Sequence, residues 1–207
     1  MNDRIITDRI TISNHGHGMN EALNLAEYIA DTMKLEGKNK FHLRLLAEEM
    51  FSMVRAITGE FRADFWGEAE KHTCKLHLQA KAELDYLKRR ELLSVSTHGK
   101  NIASRGMMEK IREIIEAGLY SIEESFNLQN EYGVNMLSYG AMGLDTEMSD
   151  AIYSWSMQKY KSDVEAERSE NPDAWDELEK SIIANIADEV QVGINKDSIE
   201  LIIQKNF

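Results

Sequence analysis

The chain has 207 residues, 24 Lys and Arg against 36 Asp and Glu, and 43% hydrophobic residues, a length that supports one sizeable core and is short for two ordinary domains. A net charge of −12 and a pI near 5.0 argue against unaided binding to nucleic acid or to an anionic membrane surface. One cysteine, Cys74, excludes an internal disulfide framework and a Cys-based zinc cluster, and the charges at Asp3, Arg4, Asp8 and Arg9 interrupt any signal-peptide core.

No stretch reaches the roughly 20 apolar residues of a membrane span, and the expectation is a soluble cytoplasmic protein with a single domain over residues 1–207. Thr7 to Ser13 alternates, with Ile10 and Ile12 on one face and Thr11 and Ser13 on the other, as a half-buried strand does. Asn14-His15-Gly16-His17-Gly18 breaks it. His15 and His17 can offer two imidazoles, but no cysteine or third histidine lies at ligand spacing, so no metal site is expected. Met19, Leu23, Ala26, Ile29, Ala30 and Met33 predict a helix over 19–36 with Gly37 as its terminator. Leu43, Leu46, Met50, Met53, Val54 and Ile57 predict a second over 39–58, closed by Gly59.

The period then changes to two. Cys74, Leu76, Leu78, Ala80 and Ala82 share one face of a strand, and Phe61 to Ala69 is its antiparallel partner across Glu70-Lys71-His72. Trp66, on the face opposite Phe65, blurs the pattern. A charged stretch from Asp85 to Glu91 leads through a polar loop, Ser94 to Asn101, to a third helix carrying Met107, Ile111, Ile114, Ile115 and Leu119.

Residues 120 to 160 are rich in Gly, Tyr and Met and show no assignable period. The methionines at 107, 108, 136, 142 and 148 read as irregular core filling or as a partner groove. Ser162 to Lys180 holds eight acidic and two basic residues, and Asn171-Pro172 reads as an N-cap followed by proline at the first helical position. This predicts a solvated helical excursion, so about 120–180 is expected to be an insertion. Val190, Val192 and Ile194, then Ile199, Leu201 and Ile203, predict a terminal β-hairpin within about 182–206. The fold expectation is α+β: a two-layer sandwich, its mostly antiparallel sheet covered on one face by helices, with a helical insertion.

That order, with Leu45-Leu46-Ala47-Glu48-Glu49-Met50 deep in the second helix and a glycine-bearing loop entering a later one, resembles the histidine-kinase-like ATPase superfamily (GHKL, Bergerat fold). The likeness is closest to the small stand-alone anti-sigma regulatory factors and serine kinases, and covers roughly Asp8 to Leu119 plus the terminal hairpin. It implies ATP and Mg²⁺ as cofactors and Glu49 as the catalytic base. Met53 stands where the family has its Mg²⁺-ligating asparagine, and a thioether is a poor ligand for a hard cation. The alternative register pairs Glu48 with Ser52. Asp85 takes the position of the adenine-binding aspartate, with no glycine following before Gly99. Gly99, Lys100, Asn101 and Gly106 correspond to the phosphate-binding lid, with Arg105 adding charge where a helix dipole already favours an anion.

From the residues alone, Glu48 and Glu49 also read as surface carboxylates paired with Arg44 and Arg55. Gly99 to Gly106 also reads as a loop before a helix capped by Ser104. Two functions stay open: an ATP-binding regulatory protein, an anti-sigma-type serine kinase with impaired catalysis, or a degenerate scaffold that holds a regulatory protein partner without nucleotide. The expected partners are a nucleotide and a regulatory protein, with a homodimer also open and no nucleic acid or membrane.

Overall fold

The computed structural model describes residues 4–58, 61–81, 106–108, 110–112, 114, 115, 118, 153–169, 172–195 and 198–207. Among them are strands β1 (Arg4–Ile6), β2 (Ile10–Ser13), β3 (Arg62–Glu70), β4 (Thr73–Lys81), β5 (Tyr153–Ser156), β6 (Glu189–Asn195) and β7 (Ser198–Asn206). The helices are α1 (Met19–Thr32), α2 (Lys38–Thr58), α3 (Met157–Ala166), α4 (Pro172–Lys180) and α5 (Ile182–Ile186). The described residues of 107–118 are also helical. The chain is thus a mixed α/β protein, and among the described residues its sheet has seven strands, every pair antiparallel, ordered β1-β3-β4-β7-β6-β5 with β2 also on β3.

Alternation along each strand builds the core row by row. Ile10, Phe65, Leu78, Leu201, Val192 and Trp155 are successive partners across six strands. The next row, Ile12, Ala63, Ala80, Ile199 and Ile194, is also buried. Burying one such large side chain contributes roughly 1.5–3 kcal/mol, so the matched rows account for the strand order. Against this face lie Ala22, Ala26, Ile29 and Ala30 of α1 and the apolar stripe of α2, where Phe51 meets Phe65 edge to face at 5.2 Å. Helix α1 approaches β3 closely because Gly67 carries no side chain there: a Cβ would overlap Ile29 Cδ1.

The edge strand differs from the single strand expected over Thr7 to Ser13. Ile6 pairs with Glu68 and Ile10 with Phe65, so three residues oppose two and a bulge separates β1 from β2. Thr7 spans it, with N–H to Gly67 O and Oγ1 accepting from Gly67 N–H, each at 3.0 Å. The extra residue turns Arg9 onto the Trp66 ring at 4.0 Å, and Trp66 stacks on its cross-strand partner His77 at 4.8 Å. This explains Trp66: it is buried by aromatic and cationic neighbours on the polar face, while Phe65 enters the core.

Three other boundaries move. Helix α1 stops at Thr32, not at Glu36, because Lys34 takes the left-handed turn (φ 57) and Leu35 N–H returns to Ala30 O at 2.8 Å, a Schellman closure made without glycine. Strand β5, its Trp155 buried, falls in the segment that showed no period. The terminal hairpin begins at Glu189, and 182–186 is a short helix capped by Ser181. The acidic excursion is helical as expected, in the last residues of α3 and in α4 from Pro172, with Asn171 outside the described residues, but it is not merely solvated: Val164 and Leu178 join the common core. Gly59, Ala82, Leu119 and Met136, Met142 and Met148 lie outside the described residues.

Candidate functional site

Helix α2 distinguishes its adjacent glutamates. Arg44 donates to Glu48 at 3.2 Å and also to Glu27 of α1, so Glu48 belongs to an exposed ion-pair network between two helices. The bond to Glu27 is the leading cause of the raised Arg44 pKa. Glu49, one position on, is half-buried, and its side chain has no hydrogen bond or ion pair with any described residue. Arg55 donates to Asn14 O at 3.3 Å instead of pairing with either glutamate.

One turn further along, position 53 offers no oxygen to a cation beside Glu49. Met53 is buried within the core, and Ser52, exposed, donates its hydroxyl to Glu48 O at 3.1 Å. Mg²⁺ prefers oxygen ligands in octahedral geometry, and the buried thioether of Met53 does not fit it. The end of α2 is tied to the 107–118 helix, because Arg112 Nη2 donates to Ala56 O at 2.7 Å.

The other end of that helix starts at Gly106, whose carbonyl accepts from Lys110 N–H at 3.2 Å. Its free N-terminal donors favour an anion, and one is present: Glu177 of α4, whose Oε1 accepts from Met107 N–H at 3.2 Å. The carboxylate lies against Gly106, where a Cβ would overlap Oε2 and lie 2.9 Å from Tyr160 Oη. Tyr160, on α3, is 8% exposed and its hydroxyl has no hydrogen-bond partner among the described residues. Burial, and then the Glu177 charge, push this hydroxyl up to about 12 from 10.0, so it stays protonated and able to donate.

No protein-family model matches the chain, and neither the curated proteins nor the solved structures contain a match. The site therefore stands on its own residues.

Of the expected site residues, Glu49, Ser52, Met53 and Gly106 are described; Asp85, Gly99, Lys100 and Asn101 lie outside the described residues, as do Ser104 and Arg105. Among the described residues no hydrogen bond or ion pair joins Glu49 to Gly106 or Met107, and no group of three or more His, Cys, Asp or Glu is arranged to hold a metal. His15 and His17 are exposed. Cys74 is fully buried, and its thiol is pushed up to about 12 by that burial. Sequence reasoning missed Tyr160 and Glu177. Met157, Tyr160 and Val164 fall at helical spacing and were a legible signal for α3. Nothing local marks Glu177 among its acidic neighbours, since its partner is 70 residues away.

Proposed function

We propose that this chain is a nucleotide-binding regulatory protein on the histidine-kinase-like ATPase plan, with little or no phosphoryl transfer. The observation that carries the reading is the turn at Gly106–Met107, where a backbone N–H already holds an anionic oxygen over a residue without a side chain. That is the chemistry a polyphosphate requires, at the position where the resemblance puts the phosphate lid. Two further features agree with it. The antiparallel sheet with helices packed on it is the α+β arrangement expected from the sequence, and the Glu49 side chain has no partner among the described residues while Glu48 is engaged elsewhere. The buried Met53 supports the reading of weak phosphoryl transfer, because that reaction depends on neutralising charge at the transferred group.

The test is thermal unfolding of the whole chain with ATP, ADP and GTP, each with and without Mg²⁺. A ligand at 100 times its Kd adds about 2.7 kcal/mol of stability. ATP and ADP are expected to raise the Tm, with little dependence on Mg²⁺ and slow or undetectable hydrolysis. No shift at millimolar nucleotide overturns the reading in favour of the scaffold that holds a protein partner without nucleotide. That second reading has its own support: the anion in the turn is supplied by the chain itself.

A further inference from the structure

The turn at Gly106 holds two donors and one resident anion that uses only one of them. Met107 N–H is bonded to Glu177 Oε1 at 3.2 Å. The Tyr160 hydroxyl, more than nine-tenths buried and 2.9 Å from where a Gly106 Cβ would sit, is bonded to none of the described residues. A buried hydroxyl without a partner is a standing cost that a native structure rarely keeps without a reason. A carboxylate is planar with two oxygens. A phosphate group presents more oxygens in a tetrahedral arrangement, and so is better suited to take an N–H and an O–H that approach from different elements.

Burial on α3 holds Tyr160, and the helical turn closed by Lys110 N–H on Gly106 O at 3.2 Å holds Met107 N–H, whereas Glu177 reaches the turn by a flexible side chain from α4. Helix α4 is held to its neighbours independently of that carboxylate. Arg168 lies over the Trp175 ring at 4.2 Å, and Asn185 Nδ2 donates to Glu179 O at 2.8 Å. Glu177 can therefore leave the turn without α4 leaving the fold.

We infer that Glu177 is an internal competitor occupying the place of an external phosphate group, and that Tyr160 is a ligand of that group once Glu177 swings out. This rests on the nucleotide-binding reading for the identity of the natural ligand, but the competition is a property of the turn. It makes α4 an autoinhibitory element, since any phosphate must displace a like charge before it binds.

The experiment is calorimetric titration of the full chain with inorganic tripolyphosphate and with ATP, for the parent, Glu177→Gln, Tyr160→Phe and the double variant. The amide oxygen of Glu177→Gln still accepts from Met107 N–H but carries no charge, so tripolyphosphate binding is expected to tighten about tenfold or more, with Tyr160→Phe reversing several-fold of that gain. A Glu177→Gln protein that folds and binds no tighter than the parent overturns the inference, as does a double variant that binds as tightly as Glu177→Gln alone. Failure of the underlying reading looks different: tripolyphosphate and ATP respond alike to both substitutions, with no contribution from the nucleoside. ATP binding that neither substitution alters overturns the competitor and keeps the nucleotide. Should Glu177→Gln not fold, a rise in parent Tm with tripolyphosphate that is absent in Tyr160→Phe supports the inference, and an equal rise in both overturns it.

Discussion

Two helix N-termini in this protein are closed by a glutamate from a distant element, and they are closed differently. At α3 the carboxylate of Glu189 is saturated. Its Oε1 accepts from Met157, Gln158 and Val190 N–H at 3.0, 3.3 and 2.8 Å, and its Oε2 from the Ser156 hydroxyl at 3.0 Å. At the 107–118 helix Glu177 accepts one N–H at 3.2 Å beside a hydroxyl that has no partner among the described residues. A carboxylate at a helix N-terminus is expected in either case from the dipole and the free donors. What separates a structural cap from an occupied binding site is the set of donors left unsatisfied around it. Glu189 leaves none of these four, and so it reads as part of the frame that joins β6 to α3. Glu177 leaves one, and so it reads as replaceable.

The sharpest way to break this contrast is to remove the two carboxylates in turn. Glu189→Ala leaves four donors without this partner at once, two of them the N–H groups of the buried Met157 and Val190, and is expected to cost about 2–3 kcal/mol in urea denaturation. Glu177→Ala forfeits one bond at a helix start, and a loss of about 1 kcal/mol is expected. Equal losses in the two variants would abolish the distinction.

The smallest effect at neutral pH belongs to Tyr160→Phe, which removes a hydroxyl that bonds to none of the described residues and is expected to be neutral or stabilising by up to about 1 kcal/mol. It shows itself at high pH. With the native hydroxyl held near 12 and an unfolded value of 10.0, the unfolded chain releases its proton first. The contribution is therefore complete below pH 10 and lost as the pH rises through about 12. Stability measured from pH 9 to 12 should fall more steeply for the parent than for Tyr160→Phe. Cys74, raised from 9.0 to about 12, titrates over an overlapping range in both proteins and cancels in the difference. Parallel curves would show that Tyr160 does not titrate as a buried group.

Much of the frame was legible before any coordinates. The period of two over Cys74 to Ala80 and over Ile199 to Ile203, and the stripe from Leu43 to Ile57, each identify an element and its buried face, because side-chain direction follows from backbone geometry within a few residues. Pro172 marks a helix start for the same local reason. The site was less legible. Glu49 was singled out by likeness, and the distinction from Glu48 came only from Arg44, which reaches across to Glu27 and takes Glu48 with it.

The sequence by itself determined the elements whose pattern repeats within one or two turns or along one strand, since burying an apolar face requires that repetition whatever the partner is. Tertiary structure decided which strands became neighbours, as where β4 pairs with β7 between Thr73 and Asn206. It also decided that a one-residue bulge turns Arg9 onto Trp66, and that an acidic helix read as solvated sends Glu177 to Met107. Each of these joins residues far apart in the chain. Their free energy arises only when the sheet and helices have brought them together, so no local spacing carries its signature.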